Sequence, residues 1–355
     1  MVRYTLGLFS NMYPPQCTLP SSTLITTDIN RGIFVKRMVD DLEHHGVTVR
    51  KAVKTSGSVL GYPSFVYRSV VLSRDPRLDI IQAEYIPHSG IVPAFFKRKI
   101  VPLVIKFHGD DARIFPFKNR GFMFLTRYMI LRADHIVTAS EEIRQTVIKM
   151  GAVPEKTTAI HSGVDTVFFS PLSREKTRSR LGLPQEGLIF LFIGRLHRWK
   201  GINEVLQVAA KSPDFLFVFI GPGSIPVHPP NCTFLGSKTP EEVRTWLNAS
   251  DCLLLPTYTE AVPTSVMEAF ASGIPAVTTD IGGCPEIVEN GRNGLLIPVQ
   301  DAGSLLKAVQ WMSIHPEERI EMGKQARKTV LDRYDHNKLI EKLILVHCNL
   351  IYSAE

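Results

Sequence analysis

Short apolar runs, each closed by a glycine or a polar loop and followed by a stretch of helical periodicity, recur along this chain and leave few folds open to it. In the first half Tyr4–Phe9, Ile80–Ala83, Leu103–Phe107 and His135–Ala139 read as strands. In the second half Leu188–Ile193, Phe215–Ile220, Cys252–Leu255 and Ala276–Thr278 do the same, with Gly194, Gly221 and Gly223 just past strand ends. Runs this short and this apolar suit strands covered on both faces, as in a parallel sheet. Between them lie helical patterns. Phe34–His45 puts Phe34, Val35, Met38, Val39 and Leu42 on one side, and Ser140-Glu-Glu142 opens a helix that runs to Met150 with an acidic first turn. Thr239–Ala249, Leu305–Trp311 and Asn337–Ile351 are also helical. Strand and helix alternating in both halves predict an α/β protein with a doubly wound sheet in each half.

A chain of 355 residues fits two domains. The Pro/Ser stretch Ser170-Pro-Leu-Ser173 marks the expected boundary: 1–170, then 171–336, with 337–355 as a terminal helix that must pack on something. Asn11–Asn30 has no clear period, and loops of that length are usually functional or mobile. The balance of 44% hydrophobic and 21% charged residues is that of a globular protein, and no apolar run is long enough to span a bilayer. The start, Met1 to Phe9, lacks a basic leader and cleavage site and reads as a first strand. Five cysteines far apart, without a Cys-x-x-Cys, fit reduced thiols and a cytoplasmic location, and argue against a disulfide framework or a zinc site. The net charge of +7 is uneven: residues 1–170 carry 22 Lys and Arg against 14 Asp and Glu, the remainder 19 against 20. The first half should therefore meet something anionic.

Four stretches carry chemistry. Glu260-Ala-Val-Pro-Thr-Ser-Val-Met-Glu268 places two carboxylates about the start of a short helix closed by Gly273 and Pro275, with Pro263 at a first helical position. The N–H groups of Thr264 and Ser265 would face an anion, and the carboxylates hydroxyl groups. Gly194-Arg195 at a strand end, with Lys200-Gly201 following, offers a planar fork and a point charge for phosphate oxygens; two solvated loop cations are the plainer alternative. Gly282-Gly-Cys-Pro-Glu286 lets backbone approach a ligand. His108-Gly-Asp-Asp111 puts a histidine at the carboxyl end of an apolar strand, where it either faces a ligand or is a satisfied structural group.

Taken together and in this order, these residues resemble the retaining glycosyltransferases of the GT4 family. The resemblance covers nearly the whole chain, including Gly32-Ile-Phe-Val-Lys-Arg37, Asp79-Ile-Ile81, Ala133-Asp-His-Ile-Val-Thr-Ala-Ser140, Gly163-Val-Asp165 and Asn290-Gly-Arg-Asn-Gly294. It implies the GT-B fold: two Rossmann-like doubly wound domains with a cleft between them and a C-terminal crossover helix that packs toward the first domain. It further implies that Arg195 and Lys200 hold the donor diphosphate, that Glu268 binds the ribose hydroxyls, and that Glu260 lies near the transferred sugar. Thr264 and Ser265 at the helix start, Gly283, Cys284 and Pro285 in the glycine-rich loop, and Gly32 near the phosphates complete the expected donor site. His108 is expected near the reacting carbon. Where many members have two adjacent glycines, this chain has Arg31-Gly32.

The implied activity is metal-independent, front-face retaining transfer from a nucleoside-diphosphate sugar, UDP- or GDP-linked, with no cofactor. The acceptor expected is a glycan or a lipid-linked saccharide. Ala94-Phe-Phe-Lys-Arg-Lys99 and Arg113–Arg132 mix cations with Phe, Met and Leu, as a peripheral face at the inner side of a membrane would, although a solvated basic face over core helices reads equally well. A nucleotide-sugar epimerase of related architecture is the rival enzyme. A nucleic-acid module is disfavoured because no recognised motif accompanies the basic half.

Overall fold

The computed structural model describes residues 3–10, 33–54, 61–224 and 227–353. The expected loop Asn11–Asn30 and the expected phosphate-loop residue Gly32 lie outside them. The chain forms two compact units, Met1–Ser162 with Asn337–Glu355, and Gly163–His336. The second unit thus begins ahead of the Pro/Ser stretch. Val164 bridges to Asp335 and Phe169 is buried in the second core, so this segment already belongs there.

The first unit is a six-stranded parallel sheet made of β1 (Thr5–Ser10), β2 (Thr48–Val53), β3 (Ile80–Glu84), β4 (Leu103–Phe107), β5 (His135–Thr138) and β6 (Thr157–Ala159), in the order β2-β1-β3-β4-β5-β6. β3 and β4 are buried along their whole length because neighbours flank them and helices cover both faces. The helix Ile33–His44 buries Val35, Met38, Val39 and Leu42 on β1, β3 and β4, the side expected from its periodicity. The last helix, His336–Tyr352, inserts Leu339, Ile340, Leu343 and Ile344 into that same core. Each such aliphatic side chain removed from water contributes about 1.5–3 kcal/mol, which fixes the end of the chain to the first unit.

The second unit contains β7 (Ile189–Ile193), β8 (Leu216–Ile220), β9 (Cys232–Phe234), β10 (Cys252–Leu255), β11 (Ala276–Thr279) and β12 (Gly294–Ile297). Their order is β12-β11-β10-β7-β8-β9, all parallel. This is the Rossmann order, and it reverses between β7 and β10. Ligands of such sheets bind outside the carboxyl ends of the strands at that reversal. The core there is aromatic and aliphatic, with Phe190 stacked on Phe217 at 5.4 Å and Phe192 against Phe219 at 5.7 Å.

Candidate functional site

The loop after β7 is shaped by close backbone approach. Gly194 N–H donates to Ile220 O at 2.9 Å, and a Cβ on Gly221 would meet Gly194 O at 1.9 Å. Only glycine fits there. The loop then makes one 3-10 turn, Arg198–Lys200, opened by His197 and ended by Gly201 at φ 74°. A Cβ on Gly201 would lie 2.0 Å from Pro256 O, the first residue after β10. The two loops are tied further: Tyr258 N–H donates to Trp199 O at 2.8 Å, and the Thr257 hydroxyl donates to the same oxygen at 3.1 Å. The Tyr258 ring stands edge-on to Trp199 at 6.0 Å, and its hydroxyl donates to Glu204 at 2.5 Å. Burial, then the Glu204 carboxylate, pushes that phenol up to about 12.

This scaffold brings Lys200 and Glu260 into one ion pair, Nζ to Oε2 2.5 Å, both partly accessible. The glycine-rich loop joins them, since Gly283 N–H donates to Glu260 O at 3.1 Å. Three separate motifs therefore meet at the reversal point of the sheet. Cys284 begins the short helix Cys284–Ile287, and its thiol is buried, accepting from the Thr278 hydroxyl at 3.5 Å. What Cys284 can offer a ligand is thus backbone. Arg195 is exposed on the same loop as Lys200.

The helix Thr264–Ala271 carries Glu268, half-buried, in its second turn. Its start corrects two expectations. Pro263 is the N-cap (φ −75°, ψ 78°) rather than the first helical residue, and Thr264 N–H donates to Val262 O at 2.9 Å. The proline's fixed φ folds the chain back tightly enough for that bond. Thr264 therefore presents its exposed side chain, and Ser265 stands next on the same turn.

In the first unit His108 follows β4. Its backbone N–H donates to the Asp111 carboxylate at 2.9 Å, as does Gly109 N–H at 2.8 Å. Its Nε2 lies 2.5 Å from Glu84 Oε2, and its ring stacks on Tyr85 with centroids 4.3 Å apart. Tyr85 holds a left-handed φ of 62°, a costly conformation for an aromatic residue and one found where structure is shaped by function. Burial alone would push the Glu84 carboxyl up; Lys106 and His108 beside it outweigh that and hold it below its usual range. Asp111, equally buried, is pushed up by burial despite the N–H groups it accepts.

Glu84, Tyr85, Trp199 and Tyr258 were not among the residues expected from sequence. For Glu84 a signal existed: Ile80-Ile-Gln-Ala-Glu84 sets two polar residues on one face of an otherwise apolar strand. Among the described residues no group of three or more His, Cys, Asp or Glu could hold a metal ion, and no helix is long and apolar enough to cross a membrane.

The fold is that of the GT-B glycosyltransferases. A sucrose-phosphate synthase from Thermosynechococcus elongatus superposes with a TM-score of 0.83 at 18% identity, over 99% of this chain and all of that one. The Anabaena protein HepE, solved with UDP, matches at 0.74 and 18% identity over 98% of this chain and all of that one. The description "Glycosyl transferase 4-like domain" fits residues 22–163 and "Glycosyl transferases group 1" fits residues 173–329. The chain belongs to this GT4-type family of glycosyltransferases. It is 26% identical to a proposed teichuronic acid biosynthesis glycosyltransferase of Bacillus subtilis, over 75% of this chain and 69% of that protein. It is 31% identical to a D-inositol 3-phosphate glycosyltransferase of Mycobacterium tuberculosis, over 49% of this chain and 39% of that protein's length.

Proposed function

We propose that this glycosyltransferase moves a sugar from a nucleoside-diphosphate sugar to a hydroxyl acceptor with retention of anomeric configuration. The observation that carries the reading is the meeting of Lys200, Glu260 and Gly283 at the carboxyl ends of β7 and β10, where a Rossmann sheet takes its ligand. Arg195 and Lys200 grip the diphosphate, Glu268 takes the ribose hydroxyls, and Glu260 and the Gly283–Cys284 backbone take the sugar. The Thr264 and Ser265 side chains line the phosphate side, and Gly32 is assigned there from resemblance alone.

The bond from the anomeric carbon to the diphosphate oxygen breaks and the electron pair leaves with the diphosphate. Arg195 and Lys200 stabilise the growing charge, an effect of roughly 3–4 kcal/mol per donor group in comparable sites. The acceptor oxygen bonds to the same face, and its proton passes to the departing diphosphate oxygen. His108 orients the sugar. A uridine nucleotide is favoured because HepE was also solved with UDP-glucose. Charge stabilisation is assigned to side chains, without a metal.

A second feature supports a membrane-borne acceptor. In the first unit Phe95, Ile100, Phe117, Phe124 and Leu131 are exposed among Arg98, Lys99, Lys118, Arg120 and Arg127. Apolar groups set among cations suit an anionic bilayer surface. On this reading the protein works at the inner face of a membrane.

The test is a thermal-shift screen against UDP-, GDP-, ADP- and CDP-sugars, followed by nucleotide release with candidate acceptors. Arg195→Ala and Lys200→Ala should each lower transfer about 100-fold or more with folding intact. Near-normal turnover in both variants refutes the diphosphate assignment.

A further inference from the structure

A chain of buried polar groups runs from the last helix to His108. His347, fully buried on that helix, has Nδ1 2.7 Å from the Tyr4 hydroxyl and Nε2 2.7 Å from Gln82 Oε1. Gln82 Nε2 donates to Glu84 Oε1, and Glu84 Oε2 takes His108 Nε2. Gln82 and Glu84 are also fully buried, so the bonds that link Tyr4, His347, Gln82 and Glu84 are made away from water. Leaving any member unpartnered there costs about 1–3 kcal/mol.

The direction of each bond follows from its ends. Burial pushes the Tyr4 phenol far up, so it keeps its proton and donates to His347 Nδ1. Burial pushes His347 down to about 3, so the imidazole is neutral at working pH. With Nδ1 accepting, Nε2 carries the hydrogen and donates to the Gln82 carbonyl. The Gln82 amide then has its NH₂ turned to Glu84, which orients an amide group that could otherwise sit either way round. Glu84, an ionised acceptor, takes hydrogens from both Gln82 and His108. Glu84 thereby holds a hydrogen on His108 Nε2, and the ring plane is set against Tyr85. Lys106, paired in register with Glu84 across β3 and β4, balances the carboxylate charge.

We propose that Tyr4, His347 and Gln82 are positioning residues that act through Glu84 to fix the tautomer and ring orientation of His108. The helix that ends the chain is thus part of the catalytic apparatus as well as of the core. The consequence for turnover rests on the function proposed above; the geometry of the chain does not. Reversing any link leaves two donors or two acceptors face to face, so the five groups form one cooperative unit.

The experiment is ¹⁵N-histidine NMR of the full-length protein, the His108 signal being assigned by its loss in His108→Ala, combined with steady-state kinetics on the sugar nucleotide selected by the screen. In the wild type His108 should show a protonated Nε2. His347→Phe fills the same space without a donor or acceptor, and should release His108 to a mixture of tautomers. It should lower kcat about tenfold while leaving KM for the sugar nucleotide within about twofold, since outer partners of a functional imidazole carry effects of that order. Gln82→Met, nearly isosteric, cuts the chain at its middle and serves if the first variant does not fold. His347→Gln keeps an amide donor toward Gln82 and should restore both readouts. An unchanged His108 signal in folded His347→Phe and Gln82→Met overturns the proposal. Release of the tautomer with unchanged turnover upholds the chain and overturns the role of His108 in the reaction.

Discussion

Alanine at Gly201 tests whether the two loops at the sheet reversal work as one site. Gly201 sits at φ 74°, and an added Cβ would lie 2.0 Å from Pro256 O and 2.7 Å from Pro256 C. An ordinary carbon–oxygen contact is roughly 3.3–3.6 Å. The backbones must therefore part by more than about 1 Å. Gly182 gives a matched control, because it has φ 66° and open space where its Cβ would be. Both variants carry the left-handed penalty of about 1–2 kcal/mol. Gly201→Ala alone adds overpacking, about 1–3 kcal/mol. For a unit of this size each kcal/mol lowers the melting temperature by about 2–4 °C. Gly201→Ala should thus melt a further 2–12 °C or so below Gly182→Ala. Pro256 leads directly into the segment bearing Glu260, so the same displacement pulls Glu260 away from Lys200. A misplacement of about 1 Å at a reacting site can cost about 100-fold in rate. The assay is differential scanning fluorimetry with and without sugar nucleotide, followed by nucleotide release. If Gly201→Ala matches Gly182→Ala in melting, ligand shift and turnover, the two loops are not coupled and the site described here is wrong.

Two further outcomes are expected. His347 is held neutral when folded, with its value pushed down to about 3 by burial, whereas the unfolded chain takes up a proton near pH 6.5. Its stabilising contribution is complete above about pH 6.5 and is lost as pH falls toward 3, amounting to about 2 kcal/mol by pH 5. Urea unfolding at pH 7 and pH 5 should show that loss in the wild type and a smaller one in His347→Gln; parallel losses would mean His347 titrates normally. The exposed apolar groups make the second case: Phe124→Asp with Leu131→Asp should abolish co-sedimentation with phosphatidylglycerol vesicles at low salt, and undiminished binding would remove this face from the proposal.

The parts of the fold written most plainly in the sequence are those whose surroundings are uniform. β4 and β10 have the boundaries their apolar runs predict, because both are flanked by strands and covered on both faces. β2, Thr-Val-Arg-Lys-Ala-Val, has no apolar run to announce it, since it lies at a sheet edge, pairs on one side and sets Arg50 and Lys51 in partly exposed ion pairs with Asp75 and Glu43. Edge strands β9 and β12 are short and escape for a related reason. The helix Pro316–Arg333 was missed because its buried face is made of small residues: Gly323 and Ala326 sit between Met322 and Val330. Its contact is a close backbone approach, with a Cβ on Gly323 reaching within 2.2 Å of Gly273 O. No hydrophobic period announces a contact of that kind.

The candidate site was legible as a set of residue types but not as a set of bonds. Lys200 and Glu260 were assigned to different parts of a ligand, and nothing in their spacing shows that they bind each other. That follows only once the strand order sets β7 beside β10. The buried chain in the first unit makes the same point more sharply. Gln82, Glu84 and Lys106 break the apolar pattern of central strands, a local conflict that folding alone would select against. Replacing such groups by well-packed apolar ones is often neutral or stabilising. Their presence therefore calls for a reason beyond stability, and Gln82 and Lys106 both converge on Glu84, the carboxylate that holds His108. His347 is needed to complete this arrangement, yet it is separated from Gln82 by most of the chain and is supplied by a helix whose apolar face gives no hint of a polar task. Polar residues inside a buried strand are thus the sequence signal to follow, and the partner that explains them has to be found in space.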